Sequence, residues 1–143
     1  MSNIAAPVGD DVNPDKAQEQ LGSRPDAQLV DVRTRGEWER VGVPDLSGLG
    51  KSPIFLEWQV APTMQVAPDF LDRLEAELKA RGLGHDTPLY FLCRSGVRSA
   101  AAASAAAAAG FTETHNVVEG FEGPASAPPP AGWRARGLPC TQF

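Results

Sequence analysis

The sequence predicts an α/β domain: a central, mostly parallel sheet of about five short strands, flanked by helices on both faces. Three observations lead there. Short apolar runs alternate along the chain with segments of helical character, the order that builds parallel sheets. The runs are apolar nearly throughout instead of strictly alternating, as strands covered on both faces are. The chain of 143 residues suits one hydrophobic core.

Residues 1–12 read as a flexible N-terminal tail and residues 13–143 as a single domain. Asn13-Pro14-Asp15 starts the first helix, with an N-cap side chain, a proline in the first turn and an early carboxylate. That helix ends near Gly22. Gln28-Leu29-Val30-Asp31-Val32 is the first strand, and Gly36 to Arg40 a short helix. The stretch from Gly42 to Pro53, rich in glycine and proline, reads as loop. Ile54 to Trp58 is the second strand. Pro68 opens an amphipathic helix with Phe70, Leu71, Leu74 and Leu78 on one face, stopped by Gly82 and Gly84. Pro88 to Leu92 is the third strand and runs directly into Cys93. Ala100 to Ala109, nearly all alanine and closed by Gly110, is helical. His115 to Val118 is the fourth strand, and the Pro-rich stretch Pro124 to Pro130 a surface loop.

Composition narrows the function. A net charge of -5 argues against a nucleic-acid or anionic-membrane binder, whose electrostatics need a basic face. Met1 to Asp10 has no basic residue and no apolar core, so it does not read as a signal peptide, and a cytoplasmic protein is expected. Two cysteines, Cys93 and Cys140, without CxxC or histidines at ligand spacing, give neither a disulfide framework nor a metal site.

The chemistry gathers in Cys93-Arg94-Ser95-Gly96-Val97-Arg98-Ser99. Ligands of open α/β sheets bind at the carboxyl ends of strands, and Cys93 stands at one, with a helix following. The amides of residues 94–98 can curl into a nest around the sulfur near the helix N-terminus, and Arg94 and Arg98 add positive charge. All three favour thiolate over thiol. Gly96 permits the tight turn, and Ser95 and Ser99 supply hydroxyl donors. The alanine-rich helix can lie close to the sheet and bring its dipole near the loop. Residue types alone leave two readings open: a reactive thiolate, or a small buried hydrophobe at a strand end.

The chain resembles the rhodanese-like sulfurtransferases, in particular their small single-domain members. The resemblance rests on Leu29-Val30-Asp31-Val32-Arg33 with Glu37-Trp38, on Tyr90-Phe91-Leu92-Cys93-Arg94-Ser95-Gly96-Val97-Arg98-Ser99, on Asn116-Val117-Val118-Glu119-Gly120-Phe121, and on Gly132-Trp133 with Gly137-Leu138-Pro139. It implies the rhodanese-like fold and covalent catalysis without a cofactor. Cys93 would take sulfane sulfur from a small anionic donor as a persulfide and pass it to a thiol or cyanide acceptor, or to a sulfur-accepting protein, with ping-pong kinetics. Arg94, Ser95, Gly96, Val97, Arg98 and Ser99 would bind substrate. The Cys-Arg-x-Gly-x-Arg loop looks like the thiosulfate type. Asp31 and Arg33 could support the pocket, and relatives suggest an Arg33–Glu37 ion pair bracing the first strand's loop. Relatives often carry Gly-His-Ile-Pro-Gly-Ala where this chain reads Val41-Gly42-Val43-Pro44-Asp45, which leaves the substrate entrance in doubt.

Two rivals stand beside this reading. One is a non-catalytic rhodanese-like binding or sulfur-carrier module. The other is a phosphatase or arsenate reductase of Cys-x5-Arg type, which requires an arginine at position 99, where Ser99 stands. Cys140 reads as a tail cysteine, since a relay would need it within ~7 Å of Cys93. His85 reads as solvated and His115 as structural. Trp58 or Met64 is a candidate roof for the pocket.

Overall fold

A computed structural model describes residues 11–124 and 131–143. Residues 1–10 of the expected tail and 125–130 of the Pro-rich stretch lie outside the described residues. The chain runs α1 (Pro14–Ser23), β1 (Gln28–Asp31), α2 (Arg35–Val41), β2 (Val43–Pro44), a 3-10 turn (Ser47–Leu49), β3 (Ile54–Phe55), β4 (Gln59–Val60), β5 (Gln65–Val66), α3 (Phe70–Ala80), β6 (Leu89–Leu92), α4 (Val97–Ala108), β7 (Thr114–Asn116) and β8 (Cys140–Thr141).

Among the described residues the central sheet is parallel and has four strands, in the order β3-β1-β6-β7. About five were expected. Among the described residues, a single bridge, Val12 to Val117, extends the sheet beyond β7. Val12, assigned to the tail by sequence, is buried among the apolar residues of one sheet face, which is what holds it there. The run read as a second strand from Ile54 to Trp58 pairs with β1 only over Ile54 and Phe55. It then turns into the antiparallel β4–β5 pair. A second small antiparallel pair, β2 with β8, ties the presumed loop after α2 to the C-terminal residues.

The central strands β1 and β6 are mostly apolar because both faces are covered. Along β6 the side chains alternate. Leu89, Phe91 and Cys93 enter the core under α3 and α4, whereas Tyr90 and Leu92 enter the core formed with Ala17 and Leu21 of α1, Phe121 and Trp133. Helices therefore flank both faces. Ala102, Ala103 and Ala106 of α4 are fully buried against β6 and β7, so the lack of large side chains does bring this helix down on the sheet.

Topology fixes where a site can form. The chain leaves β1 toward β3 on one side and leaves β6 toward β7 on the other. The central pair β1–β6 thus flanks a switch point, and its carboxyl ends, Asp31 and Leu92, lie side by side in register.

Candidate active site

Cys93 follows β6 directly and is 1% exposed. Its Sγ accepts hydrogen bonds from the Gly96 N–H at 3.1 Å and lies 3.2 Å from the Ser99 hydroxyl. The turn that aims the amide needs Gly96 at φ +105, a left-handed value that also ends the loop and caps α4. α4 starts one residue later, with its N-terminus at the sulfur.

The loop backbone is clamped from outside. Phe121 N–H donates to the Cys93 carbonyl at 2.8 Å, and the N–H groups of Glu122 and Gly123 donate to the Arg94 carbonyl at 2.9 and 3.1 Å. This close approach requires Gly120: a Cβ there would stand 2.5 Å from the Cys93 and Arg94 carbonyls, at a φ of +64. Glu119 anchors the clamp by accepting from Gly132 N–H and from Arg136.

The two loop arginines differ sharply. Arg98 donates twice to the Glu37 carboxylate, at 2.7 and 2.9 Å. Glu37 also completes the capping box of α2 with Thr34. Burial pushes the Glu37 carboxyl up, but the Arg98 guanidinium and the Thr34 amide outweigh it and hold it at about 2. Arg94 is half exposed and meets Glu122 only at 3.5 Å. Both arginines border a cleft of about 780 Å³ whose other walls include Arg40, Glu57, Val60 and Met64. Met64 does line the cleft, while Trp58 packs edge-on against Phe70 instead.

The ion pair expected between Arg33 and Glu37 is not formed. Arg33 donates to the Asp31 carboxylate through Nε and Nη2, at 3.0 and 2.8 Å, and to the Gly42 carbonyl at 2.9 Å. Asp31 and Arg33 are fully buried, with the guanidinium 4.2 Å above the Phe121 ring. A buried Asp two residues from an Arg satisfies itself locally, which frees Glu37 for Arg98. The pair therefore does not line the cleft.

Of the remaining loop residues, Ser95 and Gly96 are half-buried, Val97 is 76% exposed, and Ser99 is buried. Sequence reasoning gave no role to Asn116 or Gly120. Asn116 accepts from Ser99 Oγ at 2.6 Å and donates to the Gly96 carbonyl at 3.0 Å. All three residues of β7, Thr114, His115 and Asn116, are polar and buried, so the sequence did not single Asn116 out. The Thr34-x-x-Glu37 spacing announces a capping box.

Cys140 is exposed, in β8, where its Sγ lies 3.3 Å from the Leu138 carbonyl and burial by neighbours pushes the thiol up. His85 contacts Glu75 at 2.8 Å and stacks on Phe111, so it is better anchored than a solvated side chain. His115 stacks on Tyr90 and contacts Glu113 at 2.7 Å. Among the described residues no cluster of His, Cys, Asp or Glu could hold a metal ion, and no helix is long and apolar enough to cross a membrane.

A four-stranded parallel sheet between helices, with a cysteine loop closing its switch point, is the rhodanese-like α/β fold. The chain belongs to the family described as the STR4 middle domain, whose model matches residues 11–142. It is similar to Rv0390 of M. tuberculosis, known from a crystal structure, at 44% identity and a TM-score of 0.81, covering 96% of this chain and all of that one (100%). An uncharacterized Rickettsia conorii protein, RC0915, is 38% identical over 124 residues, 87% of this chain and 90% of that protein. The chloroplastic rhodanese-like domain-containing protein 4 of Arabidopsis thaliana is 30% identical over 123 residues, 86% of this chain but 24% of that protein.

Proposed function

We propose that the protein is a sulfurtransferase of thiosulfate type, moving sulfane sulfur from an anionic donor to a thiophilic acceptor through a persulfide on Cys93. The observation that carries this reading is the sulfur's setting: a backbone N–H and a hydroxyl within 3.2 Å of a thiol at the N-terminus of α4. Such donors stabilise negative sulfur.

In the first displacement the Cys93 thiolate attacks the outer sulfur of thiosulfate. A new S–S bond forms, the donor's S–S bond breaks, and its electron pair leaves with sulfite. In the second, an acceptor such as cyanide or a thiolate attacks the outer persulfide sulfur, and the pair returns to Sγ. Arg94 holds the anionic end of the donor, since its guanidinium is half exposed on the cleft and weakly paired. Arg98 contributes charge from a fixed position because Glu37 holds it. Acceptors are small thiols, cyanide, or a protein thiol presented at the cleft.

Mass spectrometry after incubation with thiosulfate tests the proposal, with an added sulfur expected on Cys93. Steady-state thiocyanate formation should give the parallel double-reciprocal lines of a ping-pong cycle. A folded protein that acquires no sulfur overturns the reading. The alternative is a non-catalytic rhodanese-like binding or sulfur-carrier module. Loading without cyanide-dependent turnover would select it.

A further inference from the structure

Ser99 stands between two acceptors and has one proton to give. Its Oγ lies 3.2 Å from Cys93 Sγ and 2.6 Å from Asn116 Oδ1. The Asn116 amide cannot simply flip to relieve the competition, because its Nδ2 donates to the Gly96 carbonyl at 3.0 Å. Cys93, Ser99 and Asn116 are all buried. Water is therefore poorly placed to supply a missing donor, and a buried acceptor left without one costs free energy.

We infer that Asn116 is a positioning residue that competes with the Cys93 sulfur for the Ser99 proton. The hydroxyl faces Asn116 when the sulfur is uncharged and turns to Sγ when it is a thiolate. In the thiol form every proton has a single use. The S–H donates to Ser99 Oγ, Ser99 donates to Asn116 Oδ1, and Asn116 Nδ2 donates to the Gly96 carbonyl. When the thiol proton leaves to solvent, Sγ keeps the Gly96 N–H and draws the Ser99 proton. Asn116 Oδ1 then loses its donor. Asn116 thus opposes the thiolate, acting only through Ser99.

The same count extends to the persulfide, a step that rests on the sulfurtransferase reading. There the negative charge sits on the outer sulfur, the inner Sγ is a weak acceptor, and the hydroxyl returns to Asn116. The competition therefore favours the sulfur-loaded site over the empty thiolate, and slows discharge relative to loading.

Other charges around the sulfur are set by neighbouring elements and are common to all the forms compared. They are Arg98 on α4 with Glu37 of α2, the Asp31–Arg33 pair at the end of β1, and Arg94 with Glu122.

The test is the pH dependence of Cys93 alkylation by iodoacetamide, in a Cys140→Ser background so that one thiol reacts. It needs no sulfur donor, so its outcome is separate from that of the sulfurtransferase reading. Asn116→Leu should lower the alkylation midpoint by about half to one pH unit. In a Ser99→Ala background the same substitution should move it little, a non-additivity that marks coupling through the hydroxyl. Ser99→Thr should restore the Asn116 effect. An equal shift in both backgrounds overturns the inference, because Asn116 would then act through the Gly96 carbonyl. No shift in either overturns it as well. If Asn116→Leu does not fold, the side-chain carbonyl carbon of Asn116 can be followed by NMR in the otherwise native chain. Its shift should titrate with Cys93, and the absence of that movement, or its persistence in Ser99→Ala, refutes the switch.

Discussion

The ends of β1 and β6 are neighbours in the sheet and opposites in chemistry. At the end of β1, Asp31 and Arg33 neutralise each other in a fully buried pair, on the face shared with Leu29 and Phe121. At the end of β6, Cys93 turns to the other face and collects donors without any carboxylate or base of its own. Topology places both at the switch point, so position alone does not make a site. What separates them is whether the charges are already paired with one another, although Nη1 of Arg33 is buried without a hydrogen-bond partner. The β1 end is closed and braces the fold. The β6 end keeps donors aimed at the Cys93 sulfur.

Substitutions at the two ends should break this contrast in different ways. The largest expected effect is Cys93→Ser, which should remove all sulfur loading seen by mass spectrometry while changing stability by no more than about 1 kcal/mol. Next is Asp31→Asn. It leaves the buried Arg33 guanidinium without its counter-charge and should cost about 3–5 kcal/mol in urea unfolding. The variant that remains folded should still load sulfur, since Asp31 does not reach the cleft.

The loop arginines sharpen the comparison within the β6 end itself. Arg94→Ala should raise the KM for thiosulfate about tenfold, with little loss of stability, because a half-exposed guanidinium loses one charge-assisted contact to the donor. Arg98→Ala should instead destabilise the fold by about 2 kcal/mol, since the Glu37 carboxylate is left half-buried and unpaired. Equal KM effects from both would show that Arg98 leaves Glu37 to bind donor.

The smallest effect is one of pH. Glu37 has its folded pKa lowered to about 2 by Arg98 and Thr34 against burial. Its unfolded value is about 4.3. The pair's stabilisation is therefore fully present above that unfolded value and is lost as pH falls through the folded one. Thermal melts from neutral pH to about pH 2 should show the native protein converging on Glu37→Gln at the acid end.

Much of this was legible in the sequence. The position of Cys93 after an apolar strand, the Gly96 turn, the N-cap at Asn13 and the packing of the alanine-rich helix all follow from local pattern, because backbone geometry and burial dictate them. Pairings between distant residues were not. Glu37 lies 61 positions from Arg98, and whether it takes Arg98 or Arg33 depends on how α2 docks against the loop. Gly120 could be seen as a glycine, but its purpose, to let one backbone lie on another, exists only after folding. The two short antiparallel pairs escaped for a related reason: two-residue strands carry no periodicity to read.

The single bridge at Val12 has a consequence for how this protein meets copies of itself. A sheet recruits foreign strands through its rims, and the rim at β3 offers only two residues. The rim at β7 is longer. There Val12 N–H occupies the Asn116 carbonyl at 3.0 Å, and the Val12 carbonyl occupies the Val118 N–H at 2.8 Å. Trimming the chain through Val12 would uncover those groups together with a buried apolar face. The outcome to expect is self-association by edge pairing, through the strand that carries Asn116.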